Sequence, residues 1–298
     1  MKRVKLVSGG IDSYIMSQEY EGTNVYVDFG QAYAEEEKQA LKRLGVDYEL
    51  ISIDKHGASF EDIYIPDRNL MLACIVEMYY GADEIYMAGL KDDNCADKSK
   101  PEFEIMSEIV SRYAGKRVDI ISPFFDKTKG DIIAEFSGDR RKLAATFSCY
   151  SPINGMPCGD CPACLRKAIA LETNGIRSGI TLSDRIIDEY IKKIHRYDAD
   201  RISRFFIYLI KHKKKVYAVD LDGILCDDGG EDYTQRKKTD ADLRKYCDGY
   251  VVIYTARLER DREVTEAWLK KNKIRFDALI MGKLPYSLII DDKAKGEI

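Results

Sequence analysis

The 298-residue chain predicts an α/β protein made of two successive β/α series. Three observations predict it. Short apolar runs of strand character alternate with helical stretches, as in a parallel sheet covered on both faces. Two of these runs lead directly into loops rich in glycine or aspartate, at the strand ends where such sheets bind ligands. A stretch of helix signals alone separates the two series. At about 150 residues per domain, the length also favours two domains.

The elements follow in order. Residues 4–7, 25–29 and 48–51 read as strands, with a charged helix over 35–44 between the last two. An apolar helix over 69–80 precedes a strand over 84–88, and 119–121 reads as the last strand of this half. Cys74 lies in that apolar helix and is expected in the core. From 184 to 211 the pattern is helical, with Asp184 expected to cap one helix and Asp198 or Asp200 the next. The run Lys211-His212-Lys213-Lys214-Lys215 reads as a solvated helix end at a domain boundary. Strands over 216–219, 251–254, 279–281 and 288–290 make the second series. The expected domains are 1–180, a helical connector over 181–214, and 215–298.

Lys plus Arg number 47 against 51 Asp plus Glu, a net charge of −4, so a broadly basic nucleic-acid surface is not expected. No apolar run approaches the ~20 residues of a membrane span, and no signal-peptide core is visible, so a cytoplasmic protein is expected.

The first candidate site is Ser8-Gly9-Gly10-Ile11-Asp12-Ser13, which follows the first strand and opens a helix. Glycines let backbone approach a ligand closely, and amides at a helix start suit a pyrophosphate. Ser8 and Ser13 add hydroxyls, and Asp12 suits Mg²⁺ or the orientation of neighbouring amides. The plainer alternative is a glycine turn with Asp12 and Ser13 capping the helix. No Gly-Lys-Ser/Thr appears, so this is not a Walker loop.

The second is the set Cys149, Cys158, Cys161 and Cys164, spaced C-x8-C-x2-C-x2-C. Four thiolates close a tetrahedral zinc shell of structural type. Two disulfides and an iron–sulfur cluster are the alternatives. Arg166 and Lys167 follow, either offsetting the thiolate charge or lying exposed on the next helix.

The third is Asp220-Leu221-Asp222-Gly223 at the end of the strand over 216–219. Two aspartates one residue apart can act as nucleophile and acid/base beside Mg²⁺.

The first loop resembles the SGGxDS signature of the PP-loop ATP pyrophosphatases, which adenylate a substrate and release pyrophosphate. With the cysteine array, residues 1–175 resemble one branch of that family, the 7-cyano-7-deazaguanine synthases of queuosine biosynthesis. The resemblance rests also on Asp28-Phe29-Gly30-Gln31, Ile65-Pro66-Asp67-Arg68-Asn69, Pro101-Glu102-Phe103, Thr128-Lys129 and Ser148-Cys149-Tyr150. It implies ATP-dependent conversion of 7-carboxy-7-deazaguanine with ammonia to the amide or nitrile through an acyl adenylate. By the same resemblance Ser8, Gly9, Gly10, Asp12 and Ser13 bind ATP. Lys129 neutralises charge near the reaction centre, and Gln31, Arg68 and Asn69 contact nucleotide or substrate. Family members usually carry Tyr-Pro-Asp-Cys-Arg before Pro-Glu-Phe. Here Lys98 stands for the aspartate and Ser99 for the cysteine, which leaves the carboxylate and the acceptor amine open. Relatives in phage and anti-phage gene sets add DNA or a protein amine as acceptors.

The third site resembles the HAD phosphatases, through Asp220, Asp222, Thr255-Ala256-Arg257, Lys283 and Asp291-Asp292. The resemblance makes Asp220 the nucleophile and Asp222 the acid/base. It gives the phosphoryl group to Thr255 and Lys283, and Mg²⁺ to Asp220, Asp222, Asp291 and Asp292. Ile224 replaces the usual threonine. The expected cofactors are therefore zinc, ATP and Mg²⁺, the partner a small deazaguanine, and the assembly a homodimer. Nucleic acid is not expected at the first domain and stays open at the second. The rival readings are a base or tRNA thiolation enzyme using Cys95, a non-catalytic nucleotide-binding module, and nucleic-acid end processing.

Overall fold

In the computed structural model, residues 1–53, 67–93, 95–228 and 232–283 are described below. The chain divides into two compact units, Met1–Ile186 and Ile187–Ile298.

The first unit holds a parallel five-stranded sheet. Its strands are β1 (Arg3–Leu6), β2 (Thr23–Asp28), β3 (Glu49–Ser52), β4 (Glu84–Tyr86) and β5 (Asp119–Ile121), in the order β3-β2-β1-β4-β5. Strand alternation sends Val25 and Val27 to one core and Tyr26 to the other. Helices α3 (Arg68–Tyr80) and α4 (Lys100–Ala114) cover the first core with Ala73, Val76, Phe103, Met106 and Val110. Helices α1 (Ile11–Glu19), α2 (Ala34–Leu44), α5 (Lys129–Glu135) and α6 (Pro162–Thr173) cover the second with Ile15, Leu41, Ile133 and Leu171. Lys5 is buried in mid-strand, and its ammonium donates to the carbonyls of Ser17 (3.1 Å) and Tyr20 (2.6 Å). It thereby satisfies the C-terminal end of α1. The chain runs outward from β1 in both directions, so the crevice that such an order creates lies between the ends of β1 and β4.

Two expectations are corrected. Cys74 is exposed, because α3 is apolar on several faces and buries only Asn69, Ala73 and Val76. The hydroxyl of Ser183, not Asp184, caps α7 (Asp184–Ile191), accepting from Ile186 N–H at 3.2 Å. Asp198 caps α8 (Ala199–Lys211) as expected, accepting from Arg201 N–H at 2.9 Å.

In the second unit β6 (Val216–Val219), β7 (Tyr250–Tyr254) and β8 (Ala278–Ile280) form a parallel sheet in that order. Helix α9 (Arg262–Lys271) packs Trp268 and Leu269 into its core. The strand expected over 288–290, and Asp291 and Asp292, lie outside the described residues, as do Ile65 and Pro66. Among the described residues, no helix is long and apolar enough to cross a membrane.

Candidate functional site

The loop after β1 is built for close approach. Gly9 has φ +72°, and a Cβ there would meet the Glu37 carbonyl and Ala40 Cβ at 3.0 Å. Only glycine lets the loop rest on α2 in this conformation. Gly10 precedes α1 with no side-chain cap, so the helix start keeps its positive end for a ligand. Ser13 Oγ accepts from Ser8 N–H (3.1 Å) and donates to Gly10 C=O (3.2 Å), bracing the turn.

Charged side chains gather beside this loop. Lys129 is the first residue of α5, placed by a Thr128–Asp131 capping box. Its ammonium pairs with Asp12, and its N–H donates to Asp92 at 3.2 Å. Asp93, in the loop after β4, accepts from Arg166 Nη1 at 2.7 Å and lies 3.5 Å from Lys98 Nζ. Burial would raise the Asp93 pKa, but Lys98, Arg166 and Lys129 hold it well below the usual carboxylate range.

The expected substrate residues are joined to neighbouring segments of the unit. Gln31 is buried; it accepts from Phe29 N–H (3.2 Å) and donates to Tyr26 Oη (2.8 Å) and Glu37 (3.1 Å). Glu37 is pushed up to about 7 by burial. Asn69 donates to Asp97 at 2.7 Å, tying α3 to the turn Ala96–Lys98. Arg68 hydrogen-bonds Tyr33, whose ring lies 6.0 Å from that of Tyr150.

The sulfurs of Cys149, Cys158, Cys161 and Cys164 all lie within 4.8 Å of one another. All four are free, and Cys158 and Cys164 are 3.9 Å apart at sulfur. A tetrahedral zinc with Zn–S of about 2.3 Å requires sulfurs roughly 3.8 Å apart. Backbone N–H groups of Ser151 and Cys158 point at Cys149 Sγ, that of Asp160 at Cys158 Sγ and that of Cys164 at Cys161 Sγ, at 3.3–3.4 Å. Such donors offset thiolate charge, so the set fits a metal of zinc type. Arg166 and Lys167 serve other groups. Arg166 turns to Asp92 and Asp93. Lys167 is buried, and its ammonium donates to the carbonyls of Ala144 (3.2 Å) and Thr146. The segment it holds meets the phosphate loop, since Phe147 N–H donates to Gly9 C=O at 2.8 Å.

In the second unit, Asp220 follows β6, Thr255 follows β7 and Lys283 follows β8, so three strand ends deliver the expected side chains to one place. Lys283 pairs with Asp220. Arg257 donates to both oxygens of Asp222, at 2.8 and 2.6 Å, and lies over the Tyr233 ring at 4.1 Å. Burial opposes ionisation of Asp222, yet Arg257 keeps its pKa below the ordinary value. Thr255 is fully buried, with its hydroxyl 3.4 Å from Asp222. Sequence reasoning missed Arg257 as a site residue; its place two residues after Thr255, at the same strand end, was the available signal. It also missed Asp92 and Asp93, and their pairing with Arg166 across more than 70 residues.

Comparison with known proteins bears on the first unit. The model of the queuosine biosynthesis protein QueC matches residues 48–175, a span that includes α3 to α6 and all four clustered cysteines. The 7-cyano-7-deazaguanine synthase of Chlorobium limicola is 24% identical over 219 residues, covering 60% of this chain and 96% of the relative. That of Pseudoalteromonas translucida is 28% identical over 211 residues, covering 59% and 95%. That of Brucella ovis is 28% identical over 222 residues, covering 62% and 94%. Among solved structures, a U34-tRNA thiolase, NcsA from Methanococcus maripaludis with its [4Fe-4S] cluster, covers 72% of this chain and 73% of its own. With 13% identity and a TM-score of 0.35, that likeness is too loose to carry an argument. Residues 48–175 thus match the QueC family model, and the chain is similar, over about 60% of its length, to 7-cyano-7-deazaguanine synthases.

Proposed function

We propose that the first unit is an ATP-dependent ligase that turns 7-carboxy-7-deazaguanine and ammonia into the 7-amide or 7-nitrile. The observation that carries this reading is the union of a phosphate-type loop, an adjoining Lys129–Asp12 pair and a four-cysteine cluster in a QueC-type domain. A carboxylate is a poor electrophile and must be activated. Its oxygen attacks the α-phosphorus of ATP, the bond to the bridging oxygen breaks, and pyrophosphate leaves. Ammonia then adds to the acyl carbon, AMP departs, and loss of a proton gives the amide. The amide oxygen then attacks the α-phosphorus of a second ATP and pyrophosphate leaves; loss of AMP and of both N–H protons gives the nitrile. The protein contributes position and charge. Amides around Gly9, Gly10 and Ser13 receive phosphate oxygens, and Lys129 shifts from its partner Asp12 toward charge that develops as pyrophosphate leaves, a role that the Lys129–Asp12 pair beside the loop supports. A zinc ion held by Cys149, Cys158, Cys161 and Cys164 would supply a structural cross-link, and the closed shell leaves it no chemical step.

For the second unit we propose a phosphohydrolase of HAD type, in which Asp220 attacks phosphorus and Asp222 manages the leaving-group proton. Lys283 and Thr255 sit beside these carboxylates, which supports the reading. Mg²⁺ held by the aspartates would supply charge neutralisation for the phosphoryl oxygens. A thiolation reading of the first unit is also supported by one feature, the exposed Cys95 next to the turn Ala96–Lys98.

The test is a mass-spectrometric assay with ATP, Mg²⁺, ammonia and 7-carboxy-7-deazaguanine. Amide or nitrile should form together with AMP, and be lost in Ser13→Ala but kept in Cys95→Ser. AMP formation that ignores the acid would overturn the ligase reading, and dependence on Cys95 with a sulfur donor would favour thiolation.

A further inference from the structure

We propose that Lys98 is the docking point for the carboxylate of the acid that the first unit activates, an inference that rests on the ligase reading above. Lys98 ends the short helical turn Ala96–Lys98, and its backbone is fixed on both sides. Its N–H donates to Cys95 C=O at 3.1 Å, and Ser99 caps α4 by accepting from Glu102 N–H. Its carbonyl lies against Gly89, where a Cβ would come within 2.6 Å. Residue 89 must therefore be glycine for the turn to rest against the end of β4.

The side chain is under-used for a mostly buried cation. An ammonium carries three donors. Among the described residues, the one acidic group within ion-pair distance is Asp93, at 3.5 Å. Asp93 is already engaged, by Arg166 at 2.7 Å on one oxygen and by Leu90 N–H at 3.2 Å on the other. The Lys98 side chain is 25% exposed while that of Asp93 is 4% exposed, so the ammonium is reachable where its partner is not. Asp12 of the phosphate loop and Tyr150 are both near enough to act on its charge. Asn69, through Asp97, brings the start of α3 against the same turn.

Chemistry selects the ligand. Burial would strip the Lys98 proton, but Asp93 and Asp12 hold its pKa above the ordinary value, so it is an ammonium and no acceptor amine. The phosphate loop already offers amides to the nucleotide. What the reaction lacks is a cation for the second anion, which must approach ATP against like charge. A fixed ammonium near Asp12 meets that need. The carboxylate charge disappears on adenylation, so the same contact would hold the acid and release the amide.

Calorimetry with a non-hydrolysable ATP analogue present tests this. 7-Carboxy-7-deazaguanine should bind Lys98→Met roughly 10- to 100-fold more weakly than wild type, the size of a charged hydrogen bond. The corresponding amide and the ATP analogue should bind both alike, and Lys98→Arg should recover most of the loss. Lys98→Gln gives the same acid-to-amide ratio should the methionine variant lose its zinc. Equal acid binding by wild type and variants, or a loss confined to the ATP analogue, overturns the inference and leaves the ligase reading standing. Failure of the wild type to bind the acid overturns both.

Discussion

Both units gather polar groups at the ends of a parallel sheet, yet they prepare for ligands in opposite ways. The first offers backbone amides and one loosely paired cation, Lys98, 3.5 Å from its carboxylate, beside the tighter pairs of Lys129 with Asp12 and Arg166 with Asp93. The second offers carboxylates already matched to cations, Asp220 to Lys283 and Asp222 to a two-pronged Arg257. An anion can meet the amides and Lys98 of the first by adding to what is there. At the second, a phosphoryl group must draw cations off existing partners. The difference teaches that one strand-end geometry serves two logics, open reception and exchange.

The largest effect should come from removing the carboxylate that the first unit's cations share. Asp93→Ala leaves the half-buried Arg166 with Asp92 alone, at 3.4 Å, and should destabilise that unit by about 3 kcal/mol, the low end for a broken pair because one carboxylate stays. Zinc release on heating would report it. Fluorescence of Trp268, the sole tryptophan and a core residue of the second unit, should not shift its midpoint.

Next in size is an opposition in pH. Glu37, with its folded pKa raised to about 7 from 4.5, binds its proton more tightly in the folded state. Its contribution to stability is full below about 4.5 and is lost as pH rises to about 7, by at most about 3 kcal/mol. Asp222 is lowered, so its contribution is present above its ordinary 3.8 and is lost as pH falls through the still lower folded value. The first unit should therefore lose stability from Glu37 as pH rises from about 4.5 to 7, and the second from Asp222 as pH falls below 3.8, read as denaturant midpoints by circular dichroism and by Trp268 fluorescence. Glu37→Gln should flatten the first of these dependences only.

A smaller effect sharpens the picture of the phosphate loop. Lys167→Met should keep its zinc but raise the KM for ATP about 10-fold, because the segment that meets Gly9 loses its anchor. Lys167→Arg should restore it. Unchanged KM in the methionine variant would cut the link between the cysteine helix and the loop.

Much of this was legible from sequence because it is local. The strands, the glycine loop and the C-x8-C-x2-C-x2-C array are read within a few residues, and the structure closes the four sulfurs together. Pairings across the fold were not legible. Nothing near Arg166 says that it meets Asp93, and nothing near Lys167 says that it holds the carbonyls of Ala144 and Thr146. The apolar run around Cys74 suggested burial, but a helix apolar on several sides does not tell which side meets the sheet.

Cys161 is both a member of the sulfur cluster and the residue whose side chain accepts from Cys164 N–H at the start of α6. With a metal bound, one sulfur would do the work of a ligand and of a helix cap. Nucleation of α6 and capture of the ion would then become a single event in the birth of the fold. A chain synthesised in metal-poor medium would then stall before that helix, and the stretch carrying Lys167 and Arg166 would be the last part of the first unit to find its place.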